Sequence, residues 1–384
     1  MDLFETSKRF FDELEDNDFY GDTVNHIYFY GPVTPESVVE VQENIFNAQR
    51  NPDGFVEKKA KAIVLHMDSP GGHGSYGVTL MNILSKVRVP FAVVVDGYAC
   101  SAATPLLVSA PYRVMNEYST VLIHEGGRWM SGKDQDLAFA MGYFSKMDSV
   151  YMKSYLDNTN ISEDYLKELV TRDKFIGSDE CLELGIVDRV LTFDPKVEKN
   201  ALKEYYSKNK EYKLPKELIL QKTNFNNIYY LDKNLLRTVM EILKYSTSGE
   251  NVKPLILHVN GDAVNFYQSN ETIAYFVHLR MLKIPTISVI ENDVDLMTAL
   301  PFITCSRRMM HDTVFFIIHM VYYHRNFGTL YYNDIMNNFE LNKNIILDIL
   351  RKYTKMPKKI LDKIFTTRMI LTAQECKEYG LVDE

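Results

Sequence analysis

The sequence is short of what several functional classes require. Its four cysteines, Cys100, Cys181, Cys305 and Cys376, include no CxxC pair, which argues against a structural zinc site and a disulfide framework. Its longest apolar runs, such as Phe91 to Val95 and Phe315 to Ile318, fall far short of the roughly 20 residues that cross a bilayer. The amino terminus, MDLFETSKRFFDELED, lacks the basic start and unbroken apolar core of a signal peptide. These absences predict a soluble, cytoplasmic protein without membrane contact. Positive charge is also scarce: 43 Lys and Arg stand against 51 Asp and Glu, a formal net charge of -8, which disfavours nucleic acid as a partner.

What is present is ample apolar material, 46% of 384 residues, enough for two cores of ordinary size. Residues 1–24 form a polar, acidic extension with an amphipathic stretch from Leu3 to Leu14. Beyond it, strand-like runs at His26 to Tyr30, Lys61 to Met67 and Val89 to Gly97 alternate with helical spacing at Pro35 to Ala48 and Tyr76 to Lys86. That order predicts an α/β fold built from βαβ units around a mostly parallel sheet. Further strands are expected at Tyr112 to Met115 and Thr120 to Ile123. Helices are expected at about Gln135 to Asp157 and at Glu163 to Val170, before a short helix, a stop at Gly185 and a last strand. The first domain is read as residues 25–192; residues 193–222 are a linker or a packed helical extension.

An internal repeat organises the remainder. VPFAVVVDG (Val89 to Gly97) resembles IPTISVIEN (Ile284 to Asn292), YRVMNEYSTVLIH ending at His124 resembles RRMMHDTVFFIIH ending at His319, and GSDECLELGIVD (Gly177 to Asp188) resembles TAQECKEYGLVD (Thr372 to Asp383). All three pairs are 195 residues apart, and KAIVLH ending at His66 pairs with PLILH ending at His258 at a similar offset. Residues 223–384 therefore read as a second copy of the first fold.

Two turns in the first copy carry chemical potential. Ser101, in GYACSAATPLL, sits where a strand gives way to a helix, so free backbone donors adjoin a hydroxyl. A serine before a helix is more often only an N-cap. Gly71 and Gly72, in DSPGG, follow another strand and can turn amide groups toward a developing oxyanion; a tight β–α turn is the plainer account. Two such turns at the ends of parallel strands can converge.

DSPGG, GYACSA, LIHEGG and TRDKFIGSDECLELGIVD resemble, in content, order and spacing, the Clp peptidase family of the ClpP/crotonase fold. The resemblance covers about residues 25–192. It implies a serine peptidase acting through an acyl-enzyme, with Ser101 as nucleophile, His124 as general base and Asp173 as the acid that orients it. It also implies that Gly71 and Ala102 donate amide hydrogens to the oxyanion and that the helix after His124 is a handle used in oligomer packing. No metal or organic cofactor is required. A peptide or unfolded-protein substrate, a homo-oligomer, and room for an unfoldase or adaptor partner complete the expectation. The serine–imidazole distance expected is roughly 2.6–3.2 Å, or somewhat longer without substrate.

The bland alternatives are that His124 is a satisfied core histidine and that Asp173 caps a turn or pairs with Arg172. His66, with its counterpart His258, reads as structural; Trp129 reads as packing near the groove or handle, and Lys133, expected at the start of the handle region, is a weaker candidate than His124 for the base. In the second copy the same offset places Leu296 at the serine position, Arg368 at the aspartate and His319 at the histidine, with NGDAV (Asn260 to Val264) replacing DSPGG. That copy is expected to fold without catalysing. Two other readings of the chain are a catalytically silent protein-binding scaffold and an acyl-CoA enzyme of the wider fold.

Overall fold

A computed structural model of the chain describes residues 2–20, 24–50, 62–127, 133–192, 228–231, 254–259, 285–291, 293–318 and 332–384, with Lys203, Ser207 and Lys208. His319, Trp129 and the stretch 260–264, singled out from the sequence, lie outside the described residues. The chain divides into two units, one of Met1–Thr192 with Phe327–Leu341, the other of Phe193–Asn326 with Asn342–Glu384.

The first unit is mixed α/β, and its sheet follows from the apolar runs. Helix α1 (Leu3–Asp12) is capped by the Asp2 side chain, which accepts the Phe4 N–H. The elements that follow are β1 (Asn25–Tyr30), α2 (Pro35–Arg50), β2 (Ile63–Ser69), α3 (Gly74–Ile83) and β3 (Phe91–Cys100). Every residue of β2 is buried, as is nearly every residue of β3, the pattern of central strands covered on both faces. Next come α4 (Thr104–Ser109), β4 (Arg113–Asn116), β5 (Thr120–Leu122), α5 (Asp134–Asn158), α6 (Glu163–Val170), β6 (Phe175–Gly177), α7 (Ser178–Glu183) and β7 (Arg189–Leu191). The sheet runs β1-β2-β3-β4-β7 with every pairing parallel.

Strand β3 continues beyond Gly97, where the sequence pattern suggested it would stop. It pairs first with β4, Val93 to Val95 against Arg113 to Met115, and then with β5, Tyr98 to Cys100 against Thr120 to Leu122. Gly97 thus lies where the strand changes partner. Strand β6, which is too short to show a period in sequence, adds to β5 antiparallel.

A buried polar cluster crosses this sheet. Asp96 Oδ2 lies 2.9 Å from His66 Nδ1 and accepts the Tyr30 hydroxyl at 2.7 Å, while Oδ1 accepts from the Tyr20 hydroxyl at 3.0 Å and from Asn116 Nδ2 at 3.2 Å. His66 Nε2 lies 2.9 Å from His26 Nδ1. Burial, and then the Asp96 charge, push the Tyr30 phenol well up, so it remains a donor at neutral pH. His66 is therefore structural, as its sequence position suggested. Because Asp96 and His66 are wholly buried, Asp96→Ala leaves several donors without an acceptor. The expected result is a loss of about 3–5 kcal/mol of stability, read by chemical denaturation of the full chain.

The second unit has β8 (Ile228–Leu231), β9 (Leu255–Val259), β10 (Thr286–Ile290), β11 (Val294–Asp295), α8 (Leu296–Ala299), β12 (Arg307–Met310) and β13 (Phe315–Ile318). After these come α9 (Tyr332–Tyr353), whose residues to Leu341 group with the first unit, α10 (Lys358–Leu361), β14 (Met369–Thr372) and α11 (Ala373–Glu378). Its parallel sheet runs β8-β9-β10-β12, and β13 joins β11 in parallel and β14 antiparallel. Details of the first unit recur. Arg113 binds Asp188 through two guanidinium nitrogens, and Arg308 binds Asp383 in the same way. Gly185 and Gly380 both end a helix at φ 65° and 68°, and His258 meets Glu291 at 2.7 Å as His66 meets Asp96.

Candidate active site

The site begins with a register. In the parallel pair β3–β5, Cys100 stands beside Leu122, and in the antiparallel pair β5–β6, Leu122 stands beside Phe175. Three residues therefore lie in one row across three strands. Ser101 is one step past Cys100, His124 two steps past Leu122, and Asp173 two steps before Phe175. Because β6 is antiparallel, its start lies at the carboxyl end of β5. All three side chains consequently emerge at the carboxyl ends of β3 and β5, the edge where open α/β sheets bind ligands.

Continuing the antiparallel register beyond Leu122 and Phe175 brings His124 opposite Asp173. The two meet with Nδ1 2.7 Å from Asp173 Oδ1, and their side chains are 26% and 32% exposed. A carboxylate at Nδ1 fixes the N–H there and leaves Nε2 as the basic nitrogen. The backbone after the histidine is also held, since the Glu125 N–H donates to Val170 O at 2.7 Å.

Ser101 is the one non-glycine among the described residues with positive φ, at 54°. Such a conformation is strained by about 1–3 kcal/mol. It follows the extended Cys100 directly and opens the short 3-10 turn Ser101–Ala103 that leads into α4. The strain places the half-buried serine on a sharp corner between strand and helix. The Ala102 amide lies at the start of that turn, where no preceding turn supplies an acceptor.

Gly71 packs directly beneath this corner. Its φ is 84°, and a Cβ built on it would stand 2.5 Å from Cys100 O, 2.7 Å from Ser101 Cβ and 3.0 Å from Ala102 N. Only a residue without a side chain lets the two turns approach so closely. Gly71, Ser101 and Ala102 are thus brought together, as the sequence suggested. The Gly71 N–H, however, donates to Ser69 Oγ at 3.2 Å. Ser69 is a participant that sequence reasoning passed over, although it lies within DSPGG.

The Ser101–His124 link is not closed. Among the described residues Ser101 Oγ has no hydrogen-bond partner, so the distance anticipated for a formed pair is not met here. Hydrogen bonds of this kind tighten when substrate binds. The neighbouring Cys100 does not compete as a nucleophile: burial, followed by the Asp68 charge, drives its thiol pKa upward, which keeps it protonated and weakly reactive. Among the described residues there is no cluster of His, Cys, Asp and Glu able to hold a metal ion, and no helix long and apolar enough to cross a membrane.

In the second unit the corresponding corner is chemically different. Leu296 opens α8 and is buried, and the Asp295 carboxylate caps that helix by accepting the Thr298 N–H at 2.9 Å. Arg368 is exposed.

The Clp protease family model matches residues 25–194. The ATP-dependent Clp protease proteolytic subunits 1 of Chlamydia muridarum, Chlamydia pneumoniae and Chlamydia abortus are each 25% identical over 169 residues, which is 43% of this chain and 85% of the relative.

Proposed function

We propose, from the premise that residues 25–194 are Clp protease-like, that this unit is a serine peptidase hydrolysing peptide bonds through Ser101, His124 and Asp173. Ser101 Oγ attacks the scissile carbonyl carbon and passes its proton to His124 Nε2. The carbon–nitrogen bond then breaks, the same proton goes to the leaving amine, and water, deprotonated by His124, releases the acyl group from Ser101. Asp173 holds the imidazole through Nδ1. The negative charge on the carbonyl oxygen is met by the amides of Ala102 and Gly71, the latter exchanging its Ser69 contact for the substrate.

The observation that carries this reading is the single row Cys100, Leu122, Phe175, from which all three side chains are one or two residues away. The relatives are named as proteolytic subunits of an ATP-dependent protease, which supports assembly into a homo-oligomer and an ATP-consuming partner that delivers unfolded chains. In this proposal residues 223–384 are a non-catalytic copy of the fold, with Leu296 in place of the nucleophile. No metal or organic cofactor enters the scheme.

The second reading, a silent scaffold, draws on the open Ser101–His124 link. Incubating the full-length chain with dye-labelled casein and a fluorogenic peptide separates the two. Release of fragments supports the peptidase. Binding of casein without cleavage of either substrate favours the scaffold.

A further inference from the structure

The loop that carries Asp173 is gripped by a helix far away in the sequence. Asp334 and Asn338 are one turn apart on α9, hence on one face, in the portion that groups with the first unit. Asn338 Nδ2 donates to Asp173 O at 2.8 Å, and Asn338 Oδ1 accepts the Phe175 N–H at 2.8 Å. The side-chain amide thereby pairs with the backbone on either side of Lys174 as a neighbouring strand would. One residue before Asp173, Arg172 donates from Nε and Nη2 to Asp334 Oδ1, at 2.8 and 2.5 Å, and from Nη1 to Glu168 Oε1 at 2.8 Å.

On the helix side these contacts are buried. The Asp334 side chain is fully enclosed, and Asn338 is 9% exposed. Charge-assisted and two-point hydrogen bonds of this kind fix geometry as well as contributing energy. The loop leaves α6 with the Arg172 N–H bonded to Leu169 O at 3.0 Å; beyond that point Asn338 holds both the Asp173 carbonyl and the Phe175 amide. The carboxyl group that faces His124 therefore hangs from a backbone whose position depends on Asn338 and, through Arg172, on Asp334.

We infer that Asn338 and Asp334 are positioning residues for the active site: they clamp the loop so that Asp173 keeps its bond to His124. The inference rests on the triad reading above. It gives α9 a role in the first unit's chemistry without contact with substrate. Catalysis depends steeply on placement, and a displacement of about 1 Å is enough to lower a rate about 100-fold.

The test uses the full chain and a fluorophosphonate probe, with the rate constant for labelling as readout and thermal unfolding as a control for folding. Asn338→Ala is expected to slow labelling by about 10- to 100-fold. Asp334→Asn, which keeps the volume and removes the charge, is expected to slow it several-fold and serves if the first variant does not fold. In an Asp173→Asn background neither substitution is expected to slow labelling further, because its effect passes through Asp173. A general structural role would instead reduce the rate by the same factor in both backgrounds, which would overturn the clamp. Unchanged labelling in both folded single variants would overturn it as well, leaving the triad reading intact. Failure of the unaltered chain to label would remove the triad reading and the clamp with it.

Discussion

Replacing Ser101 with alanine is expected to reduce peptide hydrolysis to background, a loss on the order of 10⁶-fold when serine and histidine act as a unit. The protein should nevertheless remain folded. Ser101 Oγ has no partner among the described residues, so its removal orphans no buried donor, and alanine at φ 54° carries strain similar to that of serine. The thermal midpoint is therefore expected to move by no more than a few degrees. His124→Ala should lose a similar factor, and the double variant should lose no more than either single one. Initial rates on a fluorogenic peptide, with thermal unfolding measured on the same preparations, check all three. A Ser101→Ala protein that retains its rate contradicts the assignment of the nucleophile.

Asp173→Asn is expected to lower the rate by about 10⁴-fold with the fold unchanged. The asparagine is nearly isosteric, and the backbone contacts to Asn338 do not involve the substituted atoms. The loss comes from the imidazole: an amide at 2.7 Å from Nδ1 no longer imposes the N–H there and no longer offsets the positive charge that His124 acquires. The loss should fall mainly on kcat, since Asp173 is placed to act on the histidine and not to bind substrate. Steady-state kinetics on the same peptide separate the two. A change confined to KM contradicts the assigned role.

Much of the architecture was legible because the relevant signals are local. The apolar runs of β2 and β3 mark central strands without any knowledge of their partners. Helix α6 runs from Glu163 to Val170, as its spacing indicates, and starts where the Ser162 side chain accepts the Tyr165 N–H. Ser101, His124 and Asp173 were legible as candidates through resemblance, each embedded in a recognisable motif. What could not be read was the geometry that unites them. Strand β6 is three residues long, too short for a period, yet its antiparallel register is what delivers Asp173 to His124. Gly97 looked like the end of a strand because glycine commonly punctuates one, whereas it lies where β3 passes from β4 to β5. Asp334 and Asn338 carry no local mark at all: an acid and an amide one turn apart on a helix acquire meaning only from the loop they hold, more than 150 residues earlier in the chain.

The one contact of the proposed triad that the structure does not form is the Ser101–His124 hydrogen bond. Asp173 and His124 are already joined, and Gly71 and Ala102 already flank the serine.

The central claim is that Ser101 is a nucleophile activated by His124. Its most direct measurement is mass-spectrometric location of the adduct after fluorophosphonate treatment of the protein, alongside His124→Ala. The account predicts one adduct, on Ser101, absent from the His124→Ala protein, with buried Cys100 unmodified. An adduct on another residue, or equal labelling of Ser101 with and without His124, contradicts it.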